Sequence, residues 1–280
     1  MKLIVDSCTD IPFKNIEKMD AYPIALKVNV DGKEYLDQLE ISSKEESEAV
    51  STGVRPLTSQ VNPDRFAEVF REVLKEDNEI IYLGFSSGLS GTYQSSVIAR
   101  DLVLEEFPDA DITVIDSLSA SYGYGLLAER VAKYINDGLS KEEVLKNIEQ
   151  DKNTIRHLFT VNDLDYLAKG GRLSKGQAFL GSLLNIKPLL HVEGGKLVPI
   201  EKYRGMKRIY KRMTELMNEE GAEVEAVITH SDAMDLALDL KKQILKDTKV
   251  NDVRIFDIGP TILSHTGNGT VALFYFKRGE

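Results

Sequence analysis

The densest group of small polar side chains lies in the segment Ser86–Thr92, which reads SSGLSGT. An apolar run at 80–84 precedes it, and the pattern that follows predicts a helix over Tyr93–Phe107. The first turn of a helix has unpaired N–H groups and the positive end of the helix dipole, so it favours a bound anion. Glycines let the backbone approach such a ligand closely. The segment therefore predicts a small-anion site to which Ser90 donates its hydroxyl, with capping of the helix by Ser90 or Thr92 as the alternative.

A second cluster of hydroxyl and amide side chains occupies 57–60, which reads LTSQ. Thr58 and Ser59 stand just before Asn62-Pro63, where another helix is expected to begin. These hydroxyls have two alternative roles at this point, because Ser and Thr before a helix either contact a ligand or cap the helix.

The stretch 259–270 combines three glycines and one proline around a single histidine, His265. This composition predicts a tightly turned loop before a terminal strand at 271–276. In such a loop His265 is either an ordinary surface residue or a donor and acid/base group at a site. A nucleophilic pair of Ser90 and His265 stays open as well, since it depends on a distance that the sequence does not contain.

The turn at 169–176 is basic and rich in glycine, and it reads KGGRLSKG. Arg172 is a candidate for binding phosphate through its guanidinium. The spacing differs from that of a phosphate-binding loop, which ends in Lys-Ser or Lys-Thr. Because the turn follows a helix-like stretch at 164–168, a plain helix C-cap is the alternative.

Short apolar runs alternate with amphipathic segments in the first half of the chain. Strands are predicted at 2–5, 80–84 and 112–115, a helix is expected to begin near Pro63, and Ser140 opens a capping box. Buried strands that alternate with helices indicate a parallel sheet covered on both faces. Because small hydroxyl residues follow the carboxyl ends of these three strands, we expect them to converge on one crevice.

The second half repeats this alternation less regularly. Its predicted elements are strands at 157–161, 224–228, 253–256 and 271–276, a hairpin turn at Gly194-Gly195, and core-packing helical stripes that begin at Met206 and Ala233. We therefore predict an α/β protein with two α/β domains, 1–150 and 151–280, the first containing a mainly parallel sheet.

The composition excludes several classes of function. The 280 residues are 42% hydrophobic and carry a formal net charge of −10, which suits a globular protein but not a nucleic-acid binder. For the same reason we expect at most transient contact with a membrane. A single cysteine, Cys8, cannot form an intrachain disulfide and is interpreted as a buried small residue. Dispersed histidines argue against a metal site, and the lack of a signal peptide or spanning segment predicts a cytoplasmic protein.

The separate motifs also occur together, in the same order, in a known family. The segments that resemble the DegV family are VDSCTDIP at 5–12, LTSQ at 57–60, FSSGLSGTYQS at 85–95, DSLSAS at 116–121, DYLAKGGRLS at 165–174 and IGPTILSHTGNGTVALF at 258–274. The resemblance spans nearly the whole chain. Two positions depart from the family pattern, because Val61 and Asn268 stand where the family often has proline.

The resemblance implies that a long-chain fatty acid, such as palmitate, stearate or oleate, is buried at the junction of two α/β domains. It implies that Thr58 and Ser90 hold the carboxylate, with His265 in the same polar network. It also implies a non-catalytic bacterial acyl carrier without a cofactor, which offers the acid to a fatty-acid kinase that forms acyl phosphate for phospholipid synthesis. Arg172 would contact the head group or the partner. Three further residues are expected to border the carboxylate: Ser59, Gly91 and Thr266. The alternative is a small-molecule hydrolase or phosphotransferase that uses Ser90 and His265.

Overall fold

The computed structural model describes residues 1–174 and 186–278. In this part of the chain the strands, in order, are β1 (Lys2–Asp6), β2 (Ala21–Ile24), β3 (Lys27–Val30), β4 (Lys33–Leu36), β5 (Leu57–Ser59), β6 (Glu79–Gly84), β7 (Asp111–Asp116), β8 (Ile155–Thr160), β9 (Ile186–Glu193), β10 (Lys196–Arg204), β11 (Ala222–His230), β12 (Asp252–Asp257) and β13 (Val271–Lys277). The helices are α1 (Phe13–Lys18), α2 (Ser43–Ser51), α3 (Pro63–Val73), α4 (Thr92–Glu106), α5 (Ser121–Asn136), α6 (Lys141–Lys152), α7 (Leu164–Lys169), α8 (Met206–Glu219), α9 (Met234–Asp247) and α10 (Pro260–Thr266).

The first sheet is parallel throughout, with the strand order β2-β1-β6-β7, and confirms the predicted parallel sheet. Its central strands β1 and β6 are almost entirely buried, as expected for a sheet with helices on both faces. The helix start at Pro63 is also confirmed, because the side chain of Asn62 accepts a hydrogen bond from the backbone N–H of Arg65 at 2.8 Å. Ser140 forms the predicted capping box with Glu143.

The six-stranded sheet has the order β10-β9-β8-β13-β11-β12, and only its β11–β12 pair is parallel among the described pairings. The predicted hairpin joins β9 and β10, where Gly194 and Gly195 adopt φ values of 54° and 75°. Side chains of β13 alternate between the two faces. Leu273 and Tyr275 pack with α8 and α9, whereas Ala272 and Phe274 face the first half of the chain.

The two larger sheets are joined by direct contacts. Helix α5 packs against β8, β11 and β13, and Glu129 of α5 forms an ion pair with Arg254 of β12 at 2.7 Å. The hairpin turn also contacts the segment after β6, because the hydroxyl of Ser86 donates to the carbonyl of Gly195 at 2.7 Å. The antiparallel sheet β4-β3-β5 lies alongside α10. These contacts bring the loops of both halves to one place.

The strands of the parallel sheet all precede residue 117, and those of the six-stranded sheet all follow residue 154. The domain boundary predicted at 150/151 falls in the last turn of α6 and stays a prediction. Among the residues that the structure describes, no helix is long and apolar enough to cross a membrane.

Candidate functional site

A cavity of about 210 Å³ lies between the carboxyl edge of the parallel sheet and one face of the six-stranded sheet. Most of its wall is apolar, with contributions from both halves of the chain: Leu26, Phe85, Leu89, Ala120, Phe159, Val192, Leu197, Ile258, Ile262, Ala272 and Phe274. An apolar wall of this kind suits the burial of hydrocarbon.

Polar side chains cluster at one part of the cavity wall. Thr58, on β5, and His265, near the end of α10, are joined by a hydrogen bond of 2.8 Å between Oγ1 and Nε2. Ser90 also lines the cavity. Ser59 and Gly91 border the same region and are exposed to solvent, so the polar part of the cavity is accessible. The structure therefore brings together the residues that the motifs singled out, including Thr266 and Arg172 in the wall.

Helix capping does not account for the hydroxyl group of Thr58, and it uses only part of the hydrogen-bonding capacity of Ser90. The N-cap of α3 is Asn62, and the N-cap of α4 is Gly91, which has no side chain. The oxygen of Ser90 accepts from the N–H of Thr92 at 3.2 Å and lies 3.0 Å from the Thr92 hydroxyl. A serine hydroxyl has one hydrogen and two lone pairs, so Ser90 can accept from that N–H and still donate to a bound oxygen.

The prediction of a loop around His265 is wrong, because residues 260–266 form the helix α10. Pro260 starts this helix, where its fixed φ is favourable, and Leu263 is buried. Burial, together with the charge of Arg172, lowers the pKa of His265 to about 4, and a backbone hydrogen bond with Gly170 opposes the shift. His265 is therefore neutral at neutral pH, so one of its ring nitrogens donates and the other accepts.

Buried carboxyl groups hold α10 in place. The carboxyl group of Asp37 accepts hydrogen bonds from the backbone N–H and the hydroxyl of Thr261. The hydroxyl of Ser264 faces both Glu46 and the carbonyl of Pro260, at 2.5 and 3.1 Å. One hydroxyl hydrogen cannot serve both acceptors, so a protonated Glu46 satisfies this geometry. Burial is the main reason that the pKa of Glu46 is raised to about 8.

Arg172 connects the glycine-rich turn to the segment that carries Ser90. Its Nε donates to the carbonyl of Leu89 at 3.1 Å and its Nη1 to the carbonyl of Gly170 at 2.8 Å. The turn is also a helix C-cap, as the alternative predicted, because α7 ends here and Gly171 has a φ of 76°. The last two residues of the turn at 169–176 lie outside the described residues.

Sequence reasoning missed Arg55, which stands three positions before Thr58. Its guanidinium donates to the carbonyl of Tyr166 at 2.9 Å and stacks on the Tyr166 ring. Its charge also contributes to the lowered pKa of His265, so it acts on the polar part of the cavity. The signal available in the sequence was the position of this basic residue just before the hydroxyl cluster at 57–60.

The expected convergence of hydroxyl residues at the sheet edge is correct for Ser90 and, after β7, for Ser121, but the serines directly after β1 and β7 do not line the cavity. Ser7 accepts a hydrogen bond from the backbone N–H of Leu26, and Ser117 donates to the carbonyl of Ser119. Both side chains are buried; Ser117 bonds within its own loop, and Ser7 bonds to the connection between β2 and β3. Cys8 is fully buried, as predicted.

Comparison with known proteins covers nearly the whole chain. A family model described as an uncharacterised protein of the DegV family matches residues 1–278. The chain belongs to the DegV family. A DegV domain-containing protein of Clostridium perfringens is 40% identical to it, over 98% of this chain and 96% of the relative.

Solved structures agree with this DegV fold. A fatty-acid-binding DegV family protein from Thermus thermophilus is 33% identical, with a TM-score of 0.91 over 99% of both chains. DegV from Bacillus subtilis, described as a fatty acid binding protein, is 31% identical, with a TM-score of 0.87 over 99% of both chains. The α/β architecture of this DegV protein is thus the architecture of its solved relatives.

The observed hydrogen bonds of this DegV protein differ from those of a serine–histidine nucleophile pair. Nε2 of His265 is bonded to Thr58, and within residues 1–174 and 186–278 no hydrogen bond joins His265 to Ser90. A nucleophilic serine requires a base within hydrogen-bond reach. The polar groups instead lie beside the apolar wall of one cavity.

Proposed function

We propose that this DegV protein binds a long-chain fatty acid, with the acyl chain in the cavity and the carboxylate at Thr58, Ser90 and His265. The observation that carries this proposal is the division of one cavity into an apolar wall and a solvent-accessible polar part. The solved relatives from Thermus thermophilus and Bacillus subtilis, described as fatty-acid-binding, support it.

Burial of the acyl chain supplies most of the affinity in this proposal. Each methylene removed from water contributes about 0.8 kcal/mol. A carboxylate that leaves bulk water must be hydrogen-bonded or neutralised, and here the hydroxyls of Thr58 and Ser90 provide hydrogen bonds. Arg172 and Arg55 add positive charge beside His265. The hydroxyl groups therefore orient the head group, while Ser59, Gly91 and Thr266 border it.

The proposed role is that of a carrier and not an enzyme. The carboxylate would lie at the accessible part of the cavity while the chain stays buried, so a separate fatty-acid kinase can phosphorylate the carboxylate of the bound acid. Arg172 is exposed at this position and is held by the carbonyls of Leu89 and Gly170, so it is placed to contact the head group or the kinase.

The first test is solvent extraction of the purified protein followed by mass spectrometry. We expect a stoichiometric long-chain fatty acid. An empty cavity together with esterase activity would instead support the hydrolase alternative.

The second test compares Ser90→Ala with Ser87→Ala, a matched control at an exposed serine of the same segment. We expect Ser90→Ala to reduce fatty-acid retention modestly and kinase-coupled turnover more strongly, because orientation of the carboxylate matters most for phosphorylation. Unchanged retention and turnover in Ser90→Ala would show that the head-group assignment is wrong.

A further inference from the structure

The cavity wall contains hydroxyl groups besides those at the polar part, and each has a protein partner. The hydroxyl of Ser121 donates to Asp10, that of Thr261 to Asp37, and that of Thr270 to the carbonyl of Gly267. The hydrogen of each of these hydroxyl groups is therefore already donated to an acceptor of the protein.

His157 is different. It lies on β8, lines the same cavity and is 4% exposed, yet its Nε2 is buried without a hydrogen-bond partner. No hydrogen bond from the described part of the chain reaches its Nδ1 either. The ring makes an edge-to-face contact with Phe274 at 5.6 Å. A buried imidazole without any partner is costly, because its polar atoms lose their hydrogen bonds to water.

Helix α5 closes one edge of the His157 ring. A methyl group at Gly123 would lie 2.2 Å from Nε2, so the ring packs directly on the glycine backbone and a ligand cannot enter there. The ring nitrogen left for a ligand is Nδ1.

The imidazole of His157 is uncharged at neutral pH. Burial, together with the charges of Arg156 and His191, lowers its pKa to about 3. A neutral imidazole carries one N–H donor and one nitrogen acceptor, so it can pair with a hydroxyl group in either tautomer. A saturated hydrocarbon chain can satisfy neither atom.

We propose that the cavity accepts fatty acids with a hydroxyl group on the acyl chain, and that His157 recognises this hydroxyl. The inference rests on the proposed binding of fatty acids and names a substrate class within it. A hydroxyl that enters an apolar tunnel without a partner weakens binding, because its hydrogen bonds to water are lost. Pairing with Nδ1 of His157 removes that loss at one position along the chain and gives this nitrogen a partner, while Nε2 stays packed against α5.

The experiment measures dissociation constants of octadecanoic acid and of a series of hydroxyoctadecanoic acids that differ in the position of the hydroxyl. The proteins are the delipidated wild type, His157→Phe, which keeps an aromatic ring and removes the nitrogens, and His191→Phe as a matched control. His191 is half-buried, bonds Arg156 and does not line the cavity.

We expect that the hydroxyoctadecanoic acid with its hydroxyl at one particular position binds the wild type about as tightly as octadecanoic acid does. His157→Phe should weaken binding of that acid about tenfold more than it weakens binding of octadecanoic acid, the effect of about 1.4 kcal/mol for one hydrogen bond. His191→Phe should keep the wild-type preference. The ¹⁵N chemical shifts of His157 should change with the matched hydroxy acid and not with octadecanoic acid.

Two results would overturn the inference while leaving fatty-acid binding intact. In one, every hydroxy acid binds the wild type at least tenfold more weakly than octadecanoic acid, which would mean that water, and not the ligand, pairs with His157. In the other, His157→Phe binds the matched hydroxy acid as the wild type does. If octadecanoic acid itself fails to bind, the proposed function is wrong, and the inference falls with it. If His157→Phe does not fold, His157→Leu and the wild-type chemical shifts provide the same comparison.

Discussion

Replacement of Ala272 by leucine tests whether the acyl chain occupies the cavity. Ala272 lies on β13, is 5% exposed and forms part of the cavity wall beside Phe274. A leucine side chain adds three carbon atoms, which would displace about three methylenes of a bound chain. At about 0.8 kcal/mol for each methylene, binding should weaken by about 2.4 kcal/mol, or roughly 50-fold.

The assay is calorimetric titration of the delipidated protein with hexadecanoic acid and with an acid that is three carbons shorter. Ala272→Leu should lose affinity for the longer acid and bind the shorter acid about as well as the wild type does. Ala110→Leu is the matched control, because Ala110 is half-buried and lies outside the cavity wall.

Thermal unfolding must show that Ala272→Leu is folded, since a leucine in a sheet core can also cause strain. If the folded variant binds hexadecanoic acid with wild-type affinity, the chain does not pass Ala272. The apolar cavity would then not be the site of the acyl chain, and the reasoning from its wall would be refuted.

Two further predictions concern the polar groups. Thr58→Val should weaken fatty-acid binding about tenfold, since a hydrogen bond to a charged group contributes about 1.5 kcal/mol. The control Thr52→Val, at an exposed threonine, should leave the dissociation constant unchanged. Equal dissociation constants for both variants would argue against Thr58 as a carboxylate contact. Glu46 has a pKa raised from 4.5 to about 8, so the stability that it contributes is lost as pH rises through this range. Glu46→Gln mimics the protonated acid, so its free energy of unfolding should rise relative to that of the wild type progressively between pH 4.5 and 8. Urea unfolding over this pH range measures the difference. A difference that does not change with pH would show that Glu46 is not held protonated.

Short-range patterns explain why much of the fold was predictable. The buried strands of the parallel sheet, the helix start at Pro63 and the hairpin at Gly194-Gly195 each depend on residues close together in the chain. In each case the local conformational preference and the final structure agree, so no long-range information is needed.

Local patterns failed where tertiary contacts decide the outcome. The glycines around His265 predicted a loop, but the segment is a helix whose hydroxyls bond to Asp37 and Glu46, more than 200 residues away in the chain. Ser7 resembled a site residue by its position after a strand, yet it pairs with Leu26. Arg55 is close to Thr58 in the sequence, but only the folded chain brings it near His265.

The sequence by itself determined the alternation of strands and helices, the motifs around Thr58 and Ser90, and the family to which the chain belongs. These features depend on residue type and local spacing. Only the tertiary structure decided that Thr58 pairs with His265, 207 positions later, and that His157 lies unpaired in the wall of the same cavity. A hydrogen bond forms only within a narrow range of distance, a fraction of an ångström wide. Only the three-dimensional path of the chain brings distant residues within that range.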